Sequence, residues 1–199
     1  MSNQTRRPTG DGDISGWYYY GGGNCYSHVD DPIGSPDADY IRAPTTSANY
    51  YALFTFPAFT IPDGSVISKL SITYRHLTYT SNGGSWGKTY IKVNGTRYAV
   101  DTGRLFSLNA WAEATYDYTV NPDTGAAWTV DDINGAGSHP LQQFGIYGGS
   151  VNHQPLLDQV YATVEFTEGV APTSTDGIGG GSGGASNGDN TPAEGWGAS

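Results

Sequence analysis

The chain has 199 residues, enough for one domain with a sizeable core and a tail. Nine Lys and Arg against 19 Asp and Glu leave a formal net charge of −10, so no basic stripe exists for nucleic acid and an anionic membrane is disfavoured. Only 14% of residues are charged, while 15 Tyr and 29 Gly stand out, a composition suited to strands and turns.

Cys25 is the only cysteine, which rules out an internal disulfide and fits a structural thiol in a reducing compartment. Met1 to Pro8 lacks an apolar segment, so no secretory signal is expected, and Arg6-Arg7 lacks the apolar stretch of a twin-arginine signal. No run of about eighteen apolar residues could span a bilayer. Synthesis in the cytoplasm without a signal peptide is the expectation.

Residues 1–15 are polar and read as an extended N-terminal arm. Gly16 to Tyr20 reads as a short aromatic strand, followed by a loop over 24–39 rich in Asp and Pro and a strand fragment at Tyr40-Ile41. Tyr50 to Phe56 is apolar at nearly every position, as in a strand covered on both faces. Pro62-Asp63-Gly64 predicts a turn into a long strand, Val66 to Tyr79. Its alternation puts Val66, Leu70, Ile72, Tyr74 and His76 on one face, and Ile67, Lys69, Ser71, Thr73 and Arg75 on the other. A change of phase near Leu77 predicts a bulge. Asn94-Gly95 is a type I′ turn signal joining strands Trp86 to Val93 and Thr96 to Val100.

Tyr116 to Asn134 changes character more often than any other stretch. An alternating strand (Tyr116, Tyr118 and Val120 on one face) is stopped by Asn121-Pro122, and Asp123-Thr124-Gly125 completes a turn. Trp128 is expected at the core edge, Thr129 as the N-cap of a very short helix, and Asp131 and Asp132 at its positive end. Asn121, Pro122, Gly125 and Trp128 form an architectural signature. Leu141 to Tyr147 and Asp158 to Thr167 complete the strands. About eight or nine short strands without a long helix imply an all-β antiparallel sandwich or jelly roll over 16–168. Residues 169–199 read as a flexible Gly- and Ser-rich acidic tail, in which Trp196 is the one large aromatic.

No catalytic motif is present. His28, His76, His139 and His153 match no zinc spacing, and neither a nucleophile elbow nor a thiol motif exists, so no enzyme is expected. Asp30, Asp31, Asp37 and Asp39 are the one carboxylate cluster, offering hard oxygen ligands for Ca2+ or, more simply, turn chemistry. No other cofactor is implied. Tyr18, Tyr19, Tyr20, Trp86 and Trp111 are candidates for a sugar-stacking platform or for the anchors of a protein interface. Trp196 is a candidate anchor of the tail on a neighbouring subunit.

Several segments together resemble a family of jelly-roll, virion-associated proteins of tailed bacteriophages. They are Pro8 to Asp11 followed by Trp17, the acidic loop ending Asp37-Ala38-Asp39-Tyr40-Ile41, the strand led by Val66 with Tyr74, and Asn121 to Thr129. Phe144-Gly145-Ile146 and Gln159-Val160-Tyr161 follow in the same order. The resemblance implies a capsid-decorating or tail-attached protein. It would be homo-oligomeric, partnered by other virion proteins, and similar to carbohydrate-binding modules. Host glycan binding is the alternative function, as an adhesin or a Ca2+-assisted module.

Overall fold

A computed structural model describes residues 1–34, 39–44, 49–78, 85–99, 103–149 and 154–169. Eleven strands lie among them: β1 (Ser2–Arg6), β2 (Gly10–Ser15), β3 (Ile41–Arg42), β4 (Asn49–Thr55), β5 (Val66–Leu77), β6 (Trp86–Val93), β7 (Thr96–Ala99), β8 (Arg104–Leu105), β9 (Ala112–Tyr118), β10 (Leu141–Gly149) and β11 (Leu156–Thr167). One short helix, α1, covers Val130–Asn134, and a 3-10 turn covers Tyr26–His28.

Two antiparallel sheets result. Sheet A runs β1-β11-β5-β9, with β3 also on β11; sheet B runs β2-β4-β10-β6-β7, with β8 also on β6. The architecture is the antiparallel β-sandwich that the strand pattern implies. Alternation explains the shared core. Leu70, Ile72, Tyr74, Val160, Ala162 and Val164 of sheet A face Ala52, Phe54, Ile91, Val93, Phe144 and Ile146 of sheet B, and all are fully buried. Two tyrosines cross this core to satisfy their hydroxyls on the opposite sheet. Tyr74 donates to the Gly87 carbonyl at 3.1 Å and Tyr118 to the Thr89 carbonyl at 3.1 Å.

The N-terminal residues are strands of the fold, not a free arm. β1 pairs with β11 from Ser2↔Phe166 to Arg6↔Ala162, and β2 pairs with β4, so the first fifteen residues stitch the two sheets together. Arg6 and Gln4 also bond the carbonyls of Ala58 and Thr60, each at 2.9 Å. Polarity misleads at this segment because its pairing partners are distant, Thr55 to Tyr51 for β2 and Phe166 to Ala162 for β1. Gly16 to Tyr20 forms isolated bridges rather than the expected strand, Gly16 to Tyr51 and Tyr18 to Arg42.

The face assignment on β5 needs one correction. The β5–β11 register slips between Glu165 and Phe166, leaving Ser68 unmatched, so Ile67 turns into the core and Val66 is 68% exposed. A second irregularity, between Leu157 and Gln159, lies beside the expected position near Leu77, with Asp158 of β11 as the extra residue. It aims the buried Asp158 carboxylate at Arg75.

The hairpin at Asn94-Gly95 has φ of 48° and 79° at those residues, as a type I′ turn requires. In the corner after β9, Asn121 is fully buried and Gly125 has φ 72°. Pro122 follows the end of the strand, and buried Trp128 donates from Nε1 to the Tyr118 carbonyl at 3.0 Å. Thr129 caps α1 by accepting from the Asp132 amide at 3.1 Å. The tail beyond residue 169 and Trp196 lie outside the described residues.

Candidate functional site

The outer faces of the two sheets differ in kind. On sheet A, alternation puts small polar and charged groups outward, and they pair across strands. Thr5 meets Thr163 at 2.9 Å, Thr73 meets Thr115 at 2.8 Å and Ser71 donates to Asp117 at 2.6 Å. Lys69 bridges Asp117 and Glu165. This is a mostly polar sheet face, in which Ser71 and Thr73 are buried among their partners and Tyr161 of β11 is an outward ring.

Sheet B turns aromatic rings outward instead. In β6 the core takes Thr89, Ile91 and Val93, which leaves Trp86, Lys88, Tyr90 and Lys92 on the outer face. Tyr51 lies out of phase with core residues Ala52 and Phe54, and Tyr147 alternates with Ile146 in the same way. Register sets Tyr147 opposite both Tyr51 of β4 and Lys88 of β6, and sets Gly145 opposite Tyr90. Four half-buried rings therefore form a continuous row. Tyr51 and Tyr90 centroids are 6.2 Å apart, Tyr90 and Tyr147 5.2 Å, and Tyr147 and Trp86 5.5 Å.

Gly145 makes this arrangement possible. A Cβ there would fall 1.9 Å from the Ala52 carbonyl oxygen of β4, so only glycine permits the strands to lie this close.

The row has a charged rim. The Arg97 guanidinium lies 4.3 Å from the Tyr51 centroid, and Lys88 Nζ is 5.9 Å from that of Trp86. Asp13 of β2 accepts from Arg97 Nη2 at 2.7 Å and from Lys92 Nζ at 3.1 Å, and its amide donates to Gln143 at 3.1 Å. Partial burial works to raise the Asp13 pKa, but the hydrogen bonds from Arg97 and Lys92 outweigh it and hold the carboxyl below its ordinary 3.8. Burial, reinforced by Tyr147 and Tyr51, pushes the Tyr90 phenol up against the opposing pull of Arg97. The Tyr90 phenol therefore stays a neutral donor and acceptor at physiological pH. Lys88, Lys92 and Arg97 are three of the nine basic residues, and two of them are paired with Asp13 on this face.

The sequence candidates divide between this face and another region. Trp86 belongs to the row. Tyr18, Tyr19, Tyr20 and Trp111 gather instead on the side of sheet A, around Arg42 of β3 and Arg75 of β5. Tyr51, Tyr90 and Tyr147 were missed, although the period of two in Trp86 to Val93 would have exposed Tyr90. Of the acidic loop, the backbone carbonyl of Asp30 accepts from Arg7 at 2.6 Å and that of Asp31 from Gln159 at 3.1 Å, while Asp39 bonds His28. Asp37 lies outside the described residues, and among the described residues no three His, Cys, Asp or Glu side chains are gathered to hold a metal.

The fold defines an all-β antiparallel sandwich. No protein-family model and no curated protein matches the chain. Solved structures similar to it include a carbohydrate-binding module, CBM35, from Paenibacillus barcinonensis (13% identity, 84% of this chain and 98% of that chain, TM-score 0.39). A CBM4 structure (16% identity, 75% and 95%, TM-score 0.40) and a CBM35 from Cellvibrio japonicus (15% identity, 85% and 99%, TM-score 0.35) are also similar. At TM-scores below 0.5 these likenesses say nothing about what this chain binds.

Proposed function

We propose that the chain is a non-catalytic glycan-binding module whose ligand lies across the outer face of sheet B. The row of Tyr51, Tyr90, Tyr147 and Trp86 carries this reading. Sheet A of the same molecule presents mostly polar groups outward, whereas four half-buried rings lie side by side on the outer face of sheet B. A pyranose ring presents an apolar face of C–H groups that stacks on aromatic rings, and an equatorial belt of hydroxyls that needs donors and acceptors. Asp13, Gln143, Lys92 and Arg97 supply that polar rim within hydrogen-bonding reach of one another.

The virion setting implied by the sequence blocks is compatible with this reading, as a surface module that grips a host polysaccharide. Ca2+ assistance through the Asp30 to Asp39 loop is a subsidiary part of it.

Affinity electrophoresis of the full chain through gels containing bacterial, plant and algal polysaccharides tests the proposal, with Ca2+ and with EDTA. At least one polysaccharide should retard the protein. The double variant Tyr90→Ala, Tyr147→Ala should lose roughly five- to 150-fold in affinity, since two stacked rings contribute roughly 1–3 kcal/mol together. Absence of retardation on every polysaccharide, or equal retardation of a folded double variant, would overturn it.

A further inference from the structure

The aromatic cluster beside sheet A has no part in that reading, and it lines a half-open cavity. Tyr19, Tyr20, Asp39 and Tyr40 line a space of about 250 Å3. Each wall is braced from behind. The Tyr19 ring lies flat on His28 at 3.6 Å and 16°, and His28 Nδ1 is hydrogen-bonded to Asp39 Oδ2, so ring and carboxylate are fixed as one unit. Arg42 sets its guanidinium 4.2 Å from the Tyr20 centroid and 5.3 Å from that of Tyr18, and is itself tethered to Gln154 at 3.3 Å. Tyr40 leans on Trp111 at 6.2 Å, and Arg75 lies 4.9 Å from the far ring.

We infer that this cavity is a second sugar-binding site, which takes a single uncharged pyranose unit at a chain end or side branch. Size sets the first limit. The space is smaller than the roughly 300 Å3 at which drug-sized pockets begin, so one ring fits and a chain does not. The walls set the chemistry: three tyrosine rings offer stacking surface, their hydroxyls and the Asp39 carboxylate offer hydrogen bonds to sugar hydroxyls. The Asp39 carboxylate lies on this wall with 30% of its side chain accessible, which selects against uronates and other anionic units at this site. Tyr20 is 82% exposed, although a cluster serving only the fold would bury it. The bracing by His28, Arg42 and Trp111 lowers the ordering cost of binding, as a preformed site requires. The site lies apart from the row on sheet B and does not depend on it. Where both are occupied, one chain holds two glycan segments at once.

Backbone amide NMR of the full chain, titrated in turn with glucose, galactose, mannose, N-acetylglucosamine and glucuronate, tests the inference. At least one neutral sugar should give saturable shifts confined to Tyr19, Tyr20, Asp39, Tyr40 and their neighbours, with glucuronate at least tenfold weaker. Tyr20→Ala removes an exposed ring and should fold normally while weakening the response at least tenfold. Tyr90→Ala with Tyr147→Ala should leave it unchanged. Shifts absent from the cavity for every neutral sugar, shifts unaffected by Tyr20→Ala, or glucuronate binding as well as the neutral sugars would each overturn it. Failure of polysaccharide retardation with these shifts intact would refute the sheet B reading alone.

Discussion

Replacing Asn121 tests the corner that joins the two sheets. Its side chain is fully buried and makes three hydrogen bonds: Oδ1 accepts from the Asp123 amide at 3.0 Å, and Nδ2 donates to the His139 carbonyl at 3.2 Å and to Asp132 Oδ2 at 3.4 Å. Asn121→Ala leaves an amide, a carbonyl and part of a buried carboxylate without these partners. At roughly 1–3 kcal/mol for each well-formed bond, and little for the long one, the loss is about 3 kcal/mol. That lowers the folding equilibrium constant about 150-fold, and lowers the melting temperature by roughly 6–12 °C for a chain of this size. Asn121→Asp preserves shape but sets a second carboxylate against Asp132 and an acceptor against the His139 carbonyl. It should be worse than alanine at neutral pH and recover as acid protonates the new carboxyl. Urea denaturation at several pH values measures both. An Asn121→Ala variant within about 1 kcal/mol of the parent, or an Asn121→Asp variant as stable as alanine at neutral pH, would refute this account of the corner.

Gly145→Ala should destabilise by at least about 3 kcal/mol or abolish folding, because the clash is with β4 backbone and no side chain can yield; normal urea midpoints would show the two strands to be less closely set. Acid should weaken the fold through its paired carboxylates. The Asp123 carboxyl is held below its ordinary 3.8 by hydrogen bonds from Tyr98, His139 and Asn94, and Asp13 and Asp117 are also depressed. A depressed folded pKa means that the unfolded chain takes up protons first. These pairs therefore contribute fully above 3.8 and are lost as the pH falls through the folded values. Urea midpoints should hold steady above that pH and decline below it, and Asp123→Asn should flatten the decline. An unchanged profile in that variant would remove Asp123 from the account.

Local chemistry made some elements legible and long-range pairing hid others. The Asn94-Gly95 hairpin, the Thr129 cap and the buried Trp128 are set by residues within a few positions of one another, and all three stand as the sequence implies. β1 and β2 were read as an arm because Ser2 to Ser15 is polar and its partners begin at Tyr51 and Ala162. The slip at Ser68 reversed Val66 and Ile67, since two adjacent β-branched apolar residues give alternation no way to choose between them.

The row on sheet B shows the same limit at the level of function. Tyr50 to Phe56 reads as a strand covered on both faces, and Ala52, Leu53 and Phe54 are all fully buried, so apolarity alone does not single out Tyr51. Only the register against β10 reveals that Tyr51 faces outward beside Tyr147, and only the period of Trp86 to Val93 places Tyr90 between them. Tyr18, Tyr19 and Tyr20 drew attention as a contiguous run, yet successive residues of an extended segment point to opposite sides. Tyr19 and Tyr20 nevertheless line one cavity, held there by Arg42 and by the His28–Asp39 pair, which no spacing rule contains. A run of aromatic residues thus gives the type of surface, while which rings come to lie side by side belongs to the pairing of strands distant in sequence.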